Sequence, residues 1–180
     1  MEYKVRMFNF DRKKHLKTIG KIKSGIPPIA KEPLFKKIAL DILKKEKFEK
    51  ITDDPSIDKL KGVPFDFIAL KEQNLSLIEL KGSAGTFNYS SELQFARLFH
   101  VMSELKKRQI KREIKTFLLQ INLNFNVYQM LDPEFYSIIF NKINKDVVFK
   151  KMNKKLGYKT PIVPIVDDII KKMRGKGVKL

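Results

Sequence analysis

The sequence predicts an α/β fold with a central mixed sheet flanked by helices, and three observations carry this. Segments with helix, strand, hairpin, helix and strand character follow one another in that order between residues 32 and 123. The hairpin runs Phe65 to Leu70 and Leu75 to Lys81 are apolar on both faces, so each face of the sheet needs a helical cover. A chain of 180 residues with 43% hydrophobic content is long enough for one well-buried core and too short for two.

Residues 1–31 read as a basic N-terminal arm or edge element outside the core. They hold a strand around Tyr3 to Phe10, a basic stretch from Arg12 to Lys23 and the breaker Gly25-Ile26-Pro27-Pro28. From Glu32 to Lys45 the pattern becomes helical, with Pro33 in the first turn and Leu34, Phe35, Ile38, Ala39, Ile42 and Leu43 at helical spacing. Phe48 to Ile51 alternates apolar and charged residues as a short strand does, and Asp53-Asp54-Pro55-Ser56 ends it as a turn.

The two apolar runs that follow are separated by Lys71-Glu72-Gln73-Asn74, the spacing of a tight antiparallel hairpin. After the loop Gly82 to Tyr89, Ser90 or Ser91 caps a long helix to about Arg108, whose apolar positions include Leu93, Ala96, Leu98, Val101 and Leu105. Lys115 to Leu123 is a further strand. Residues 124–180 form a C-terminal helical extension: Asp132-Pro133-Glu134 opens a helix to about Ile143, and a second runs from Pro164 to Met173 before the basic tail Arg174 to Leu180. The whole is one domain, with its core over residues 32–123.

A formal charge of +18 exceeds what solubility requires and points to a polyanionic partner, with nucleic acid, DNA first, as the leading candidate. An anionic membrane fits less well, because the basic residues are spread along the chain instead of lining one amphipathic helix. A lysine-rich composition set by the genome or a hot habitat is the competing account of the charge. The chain has no cysteine, which excludes a disulfide framework, a thiolate zinc site and a cysteine nucleophile. No apolar run reaches the length of a membrane span and no signal-peptide core follows Met1, so the expected location is cytoplasmic, with no membrane partner.

The most informative segment is Gly62-Val63-Pro64-Phe65-Asp66, followed across the hairpin by Glu79-Leu80-Lys81. Acid-x-Lys triplets also occur at Glu2, Asp11, Glu104 and Glu113, so the triplet alone carries nothing. A tight turn at Glu72-Gln73 pairs residues whose numbers sum to 145, which sets Asp66 opposite Glu79. Glu79 and Lys81 then share a strand face. Like charges about 5 Å apart repel. A hard divalent cation such as Mg²⁺ would compensate them, because it takes carboxylate oxygens together with water and substrate phosphate. The competing account is that Lys81 merely neutralises two acids at a strand end. A register slipped by one residue would remove the site.

These residues resemble the core of the PD-(D/E)XK nuclease superfamily. The resemblance rests on Gly-Val-Pro-Phe-Asp followed by a strand ending Glu-Leu-Lys-Gly, within an αβββαβ order, and covers about half the chain. It implies a restriction-endonuclease-like fold. It also implies that Asp66, Glu79 and the Leu80 carbonyl bind Mg²⁺, with Mn²⁺ as a substitute, and that Lys81 assists the attacking water. Here Phe65 separates Pro64 from Asp66, where the name motif has them adjacent. The resemblance further singles out an acid on the first core helix, Glu32 first and Asp41 second, as completing metal binding. The alternative for Glu32 is a helix-dipole contact in the first turn. It also implies a substrate contact at Gln94, which with Ser91 equally fits a capping box. The spacing from Lys81-Gly82 to Gln94 is similar to the VRR-Nuc branch.

Ser83, Thr86 and Asn88 in the following loop, together with Arg97, Lys106, Lys107, Arg108, Lys111 and Arg112, are candidate phosphate contacts. A plain connector and solvent-face charges are the alternatives. His15 and His100 are isolated and support neither zinc nor a catalytic dyad. The 14 phenylalanines fall largely at periodic apolar positions, which favours core packing over base stacking. No phosphate-cradling Gly-rich loop supports nucleoside triphosphate hydrolysis. The expectation is a Mg²⁺-dependent endonuclease acting on DNA, with a non-catalytic nucleic-acid-binding protein of the same fold as the alternative. Double-strand cutting would favour a homodimer.

Overall fold

A computed structural model of the chain describes residues 4–8, 11–53, 65–82, 98, 100–121, 127–131 and 162–180. Its centre is a sheet of strands β1 (Lys4–Phe8), β2 (Glu49–Asp53), β3 (Phe67–Lys71), β4 (Asn74–Gly82), β5 (Ile114–Ile121) and β6 (Val127–Leu131). The spatial order is β1-β6-β5-β4-β3-β2. β4 and β5 are parallel and every other neighbouring pair is antiparallel, so the sheet is mixed. Parallel neighbours need a crossover, and helix α3 (residues 100–107) lies in the one that joins β4 to β5.

Helices α1 (Leu16–Lys23) and α2 (Pro28–Lys45) cover one face of the sheet. There Ile22, Phe35, Ile38 and Ile42 pack on Phe67, Ala69, Ile78 and Leu80. The other face is covered by α3 and by α4 (Ile162–Gly175), whose Ile165, Ile169 and Met173 pack with Leu98 and Leu105 on Ile68, Leu70, Leu75 and Leu77. The assignments alternate along β4 as a pleated strand requires, with Leu75 and Leu77 on one side and Ile78 and Leu80 distributed to the other. The α/β class with helices on both faces is therefore observed.

Three details differ from the sequence reading. The basic stretch after Arg12 is not an arm outside the core, because Ile19 and Ile22 sit one helical turn apart on α1 and both are buried under α2. Helix α2 begins at Pro28, one turn before Glu32, since a proline is preorganised for the first helical position. Pro33 is thereby placed inside the helix, where its missing N–H leaves the carbonyl of Ile29 without an intrahelical donor, in a turn whose Ile29 is 82% exposed to water. The C-terminal segment contributes a strand, β6, inserted between β5 and β1, which the sequence reading did not contain. The second expected C-terminal helix corresponds to α4, and the tail beyond it returns to the core through buried Val178. The expected helix over residues 132–143 lies outside the described residues.

Both α2 and α4 end in a left-handed residue that closes the last turn. The Phe48 N–H donates to the Leu43 carbonyl (2.9 Å) across Lys47, at φ 63°, and the Val178 N–H donates to the Met173 carbonyl (3.0 Å) across Gly177, at φ 76°. Glycine takes this conformation freely at the second stop, whereas a lysine holds it at the first.

Candidate metal centre

The hairpin register is the one the turn predicts. Lys71↔Asn74, Leu70↔Leu75, Ala69↔Ser76, Ile68↔Leu77 and Phe67↔Ile78 are paired, with Glu72 at φ 57° in the turn. The ladder stops there. Asp66 does not continue it as a regular pair with Glu79, because the chain bends at this residue and its N–H donates to the Ile78 carbonyl at 2.8 Å. Phe65 and Phe67 would share a face in a regular strand, yet Phe65 joins the core under α3 and α4 while Phe67 joins the core under α2. The bend thus turns the chain over at Asp66 and leaves its carboxylate at the edge of β4.

That carboxylate takes the place of the missing strand. Asp66 Oδ2 accepts a hydrogen bond from the Leu80 N–H at 2.8 Å, standing in for a backbone acceptor. A residue in a strand directs its N–H and C=O to the same neighbour, so the Leu80 carbonyl also faces the side that β3 has vacated. Glu79, adjacent in β4, is 4% exposed, one of few charged side chains buried among the described residues. Its position follows Leu75 and Leu77 in the alternation of the strand.

From the other face, helix α2 brings two side chains to the same place. Lys36 Nζ lies 3.2 Å from Asp66 Oδ1 and 3.1 Å from Glu32 Oε1, so one ammonium joins the helical carboxylate to the strand carboxylate. Glu32 and Lys36 are four residues apart and share a helix face. Burial by itself would lower the Lys36 pKa. The charge of Asp66 and the hydrogen bonds to Glu32 and Asp66 outweigh this, and the pKa is raised above the ordinary lysine value. Because α2 starts at Pro28, Glu32 lies beyond the first turn, and the helix-dipole account of this residue has no basis.

The approach of α2 to β4 depends on Gly82. A Cβ on Gly82 would fall within the ring of Phe35, with Cγ, Cδ2 and Cε2 all nearer than carbon atoms pack in proteins. Phe35 is the residue before Lys36, so the missing side chain on β4 sets how close the lysine comes to Asp66.

The structure therefore brings together Glu32, Asp66 and the Leu80 backbone, and adds Lys36, which the sequence reading missed. The signal was present as a glutamate followed four residues later by a lysine, beside a phenylalanine on the apolar stripe. In a chain with 38 lysines and arginines it does not stand out. Asp41 is engaged elsewhere, with Lys14 Nζ at 2.7 Å and His15 Nε2 at 2.9 Å from Oδ2. Hydrogen bonding to Lys14 leads the causes that hold its pKa below the ordinary aspartate value. Asp41 is not part of this centre. Lys81 belongs to β4, paired with Gln120, but its side chain lies outside the described residues, as do Ser83, Ser91, Gln94 and Arg97.

Two of the expected phosphate contacts have internal duties. Arg108 pairs with Asp167 at 3.3 Å, and Arg112 donates to the Gln73 carbonyl at 3.0 Å and the Lys179 carbonyl at 2.6 Å, tying the hairpin turn to the C-terminal tail. Lys106 and Lys111 are exposed near them.

The donor set fits a hard divalent cation in kind: two carboxylates gathered around one positive charge, beside a strand edge that the Leu80 carbonyl faces. Among the described residues no group of three or more histidine or acidic side chains is placed to hold a metal, so such a site would use one or two carboxylates with carbonyl, water and substrate oxygens. No helix among them is long and apolar enough to cross a membrane. No protein-family model and no curated protein matches the chain.

Proposed function

We propose that the protein is a divalent-metal-dependent deoxyribonuclease of the PD-(D/E)XK type, with its site at the vacated edge of β4. The observation that carries this reading is the bend at Asp66. It aims a carboxylate at the strand end where Glu79, Leu80 and Lys81 follow one another, and where α2 delivers Glu32.

Asp66 with one further carboxylate, Glu32 or Glu79, and the Leu80 carbonyl would hold Mg²⁺ or Mn²⁺. The ion supplies Lewis-acid stabilisation of charge on the phosphoryl oxygens and a water of lowered pKa. The Leu80 N–H fixes the Asp66 carboxylate by its second oxygen, so the ligand is oriented before substrate arrives. Glu79 is buried on the strand face of Leu75 and Leu77. Lys81 would orient the attacking water or neutralise charge that develops on the phosphate. The surplus of positive charge would draw the DNA backbone to the surface without reading its sequence.

Cleavage of supercoiled, linear and branched DNA with Mg²⁺, Mn²⁺ or EDTA tests the reading. Metal-dependent cleavage that is lost in Asp66→Ala and Lys81→Ala is expected, and activity that survives Asp66→Ala would remove the site. One observation favours a second reading, a non-catalytic DNA-binding protein with this fold. Both oxygens of Asp66 already have internal partners, and metal-independent binding without cleavage by the wild type would support it.

A further inference from the structure

The Lys36 ammonium lies between the carboxylates of Glu32 and Asp66, within 3.2 Å of an oxygen of each. It approaches from α2, and its position is set by the packing of Phe35 on Gly82. Only about a quarter of the side chain is exposed, so its charge is less screened by solvent than that of a typical surface lysine. A cation brought to the same carboxylate oxygens meets the ammonium at contact distance. Two positive charges there repel even at the effective dielectric of a protein surface.

We propose that Lys36 is an internal counter-ion that competes with divalent metal for Glu32 and Asp66, and that, once displaced, it presents its ammonium to the anionic phosphate brought in by the metal. The proposal rests on the nuclease reading of this site. Without metal, Lys36 holds the two carboxylates together and prevents their repulsion from separating α2 from the hairpin. With metal and substrate, the same side chain needs only to rotate about its flexible stem to pair with a phosphate oxygen, a compact point-charge contact of the kind lysine makes. Metal binding is thereby weak until a phosphate arrives to accept the displaced charge. The site would discriminate against metal in the absence of DNA.

The test is Mn²⁺ binding to the full chain without DNA, by calorimetry and by Mn²⁺ electron paramagnetic resonance, for wild type, Lys36→Met, Lys36→Gln, Asp66→Asn and the double variant Lys36→Met/Asp66→Asn. Thermal melts check that each is folded. Removing the ammonium is expected to tighten Mn²⁺ binding about tenfold in both Lys36 variants. A short duplex is expected to tighten it in the wild type by more than in Lys36→Met. Asp66→Asn is expected to abolish the gain. A lysine that only supports the fold would give the opposite sign, since its removal would loosen the ligands and weaken binding. Unchanged or weaker Mn²⁺ binding in both Lys36 variants, with binding still dependent on Asp66, overturns the competition and leaves the metal site standing. Binding that is absent throughout, or indifferent to Asp66→Asn, overturns both.

Discussion

The ring of Phe35 occupies the space that a side chain on Gly82 would need, so α2 rests directly on the backbone of β4 at the C-terminal end of that strand. The last residue of β4 and the residue before Lys36 are thus one packing unit. Gly82→Ala is expected to destabilise by about 1–3 kcal/mol, the usual cost of overpacking a closed site, and to shift Lys36 away from Asp66. Phe35→Leu in the Gly82→Ala background should recover part of the loss. Urea unfolding of the two single variants and the double variant measures the coupling, and strict additivity would show that the two positions do not share this contact.

Asp66 has a structural duty separable from any catalytic one. Asparagine retains an oxygen for the Leu80 N–H, whereas alanine leaves that donor with no side-chain acceptor. Asp66→Ala should therefore cost on the order of 1–3 kcal/mol and Asp66→Asn less, while both abolish metal-dependent cleavage. Equal stabilities would mean that the Leu80 N–H finds water equally well.

Lys47 holds a left-handed conformation at the end of α2, with φ 63° and its side chain exposed. The equivalent position after α4 is Gly177. Lys47→Gly should stabilise the protein by about 1 kcal/mol through relief of that conformation, partly offset by the greater freedom of glycine in the unfolded chain. A domain of this size would gain roughly 2–4 °C in melting temperature.

The parts of this molecule legible in the sequence are those fixed by local pattern. Two residues between two apolar runs determine the β3–β4 register, because any slip would reverse every buried side chain of β4. The exit of Asp66 from that ladder was not legible, since it depends on where Phe65 finds its core, a contact with elements far along the chain. Lys36 was hidden for a related reason. An i,i+4 pair with Glu32 reads as a surface ion pair until tertiary packing brings Asp66 beside it. β6 pairs with residues 4–8, more than a hundred positions away, and nothing in Val127–Leu131 alone announces that partner. In α1 the signal was available. Ile19 and Ile22 form a narrow apolar stripe, outweighed in the reading by the basic residues around them.

The contact of Asp41 with Lys14 and His15 secures α1 and the turn before it to α2, and so supports the helix that carries Glu32 and Lys36. The Asp41 pKa is depressed in the folded state, with the Lys14 hydrogen bond as the leading cause. A carboxylate depressed on folding contributes stability that is complete above its unfolded pKa, about 4, and is lost as the pH falls through the lower folded value. Asp41→Asn should therefore be less stable than wild type near neutral pH by about 1 kcal/mol, the scale of a hydrogen bond to the buried His15. That difference should shrink below about pH 4 as the wild-type carboxylate takes up its proton. Urea unfolding of both proteins at neutral pH and at pH 3 gives the comparison. A difference that stays constant between the two conditions would show that the ionised carboxylate of Asp41 does not hold α1 to α2.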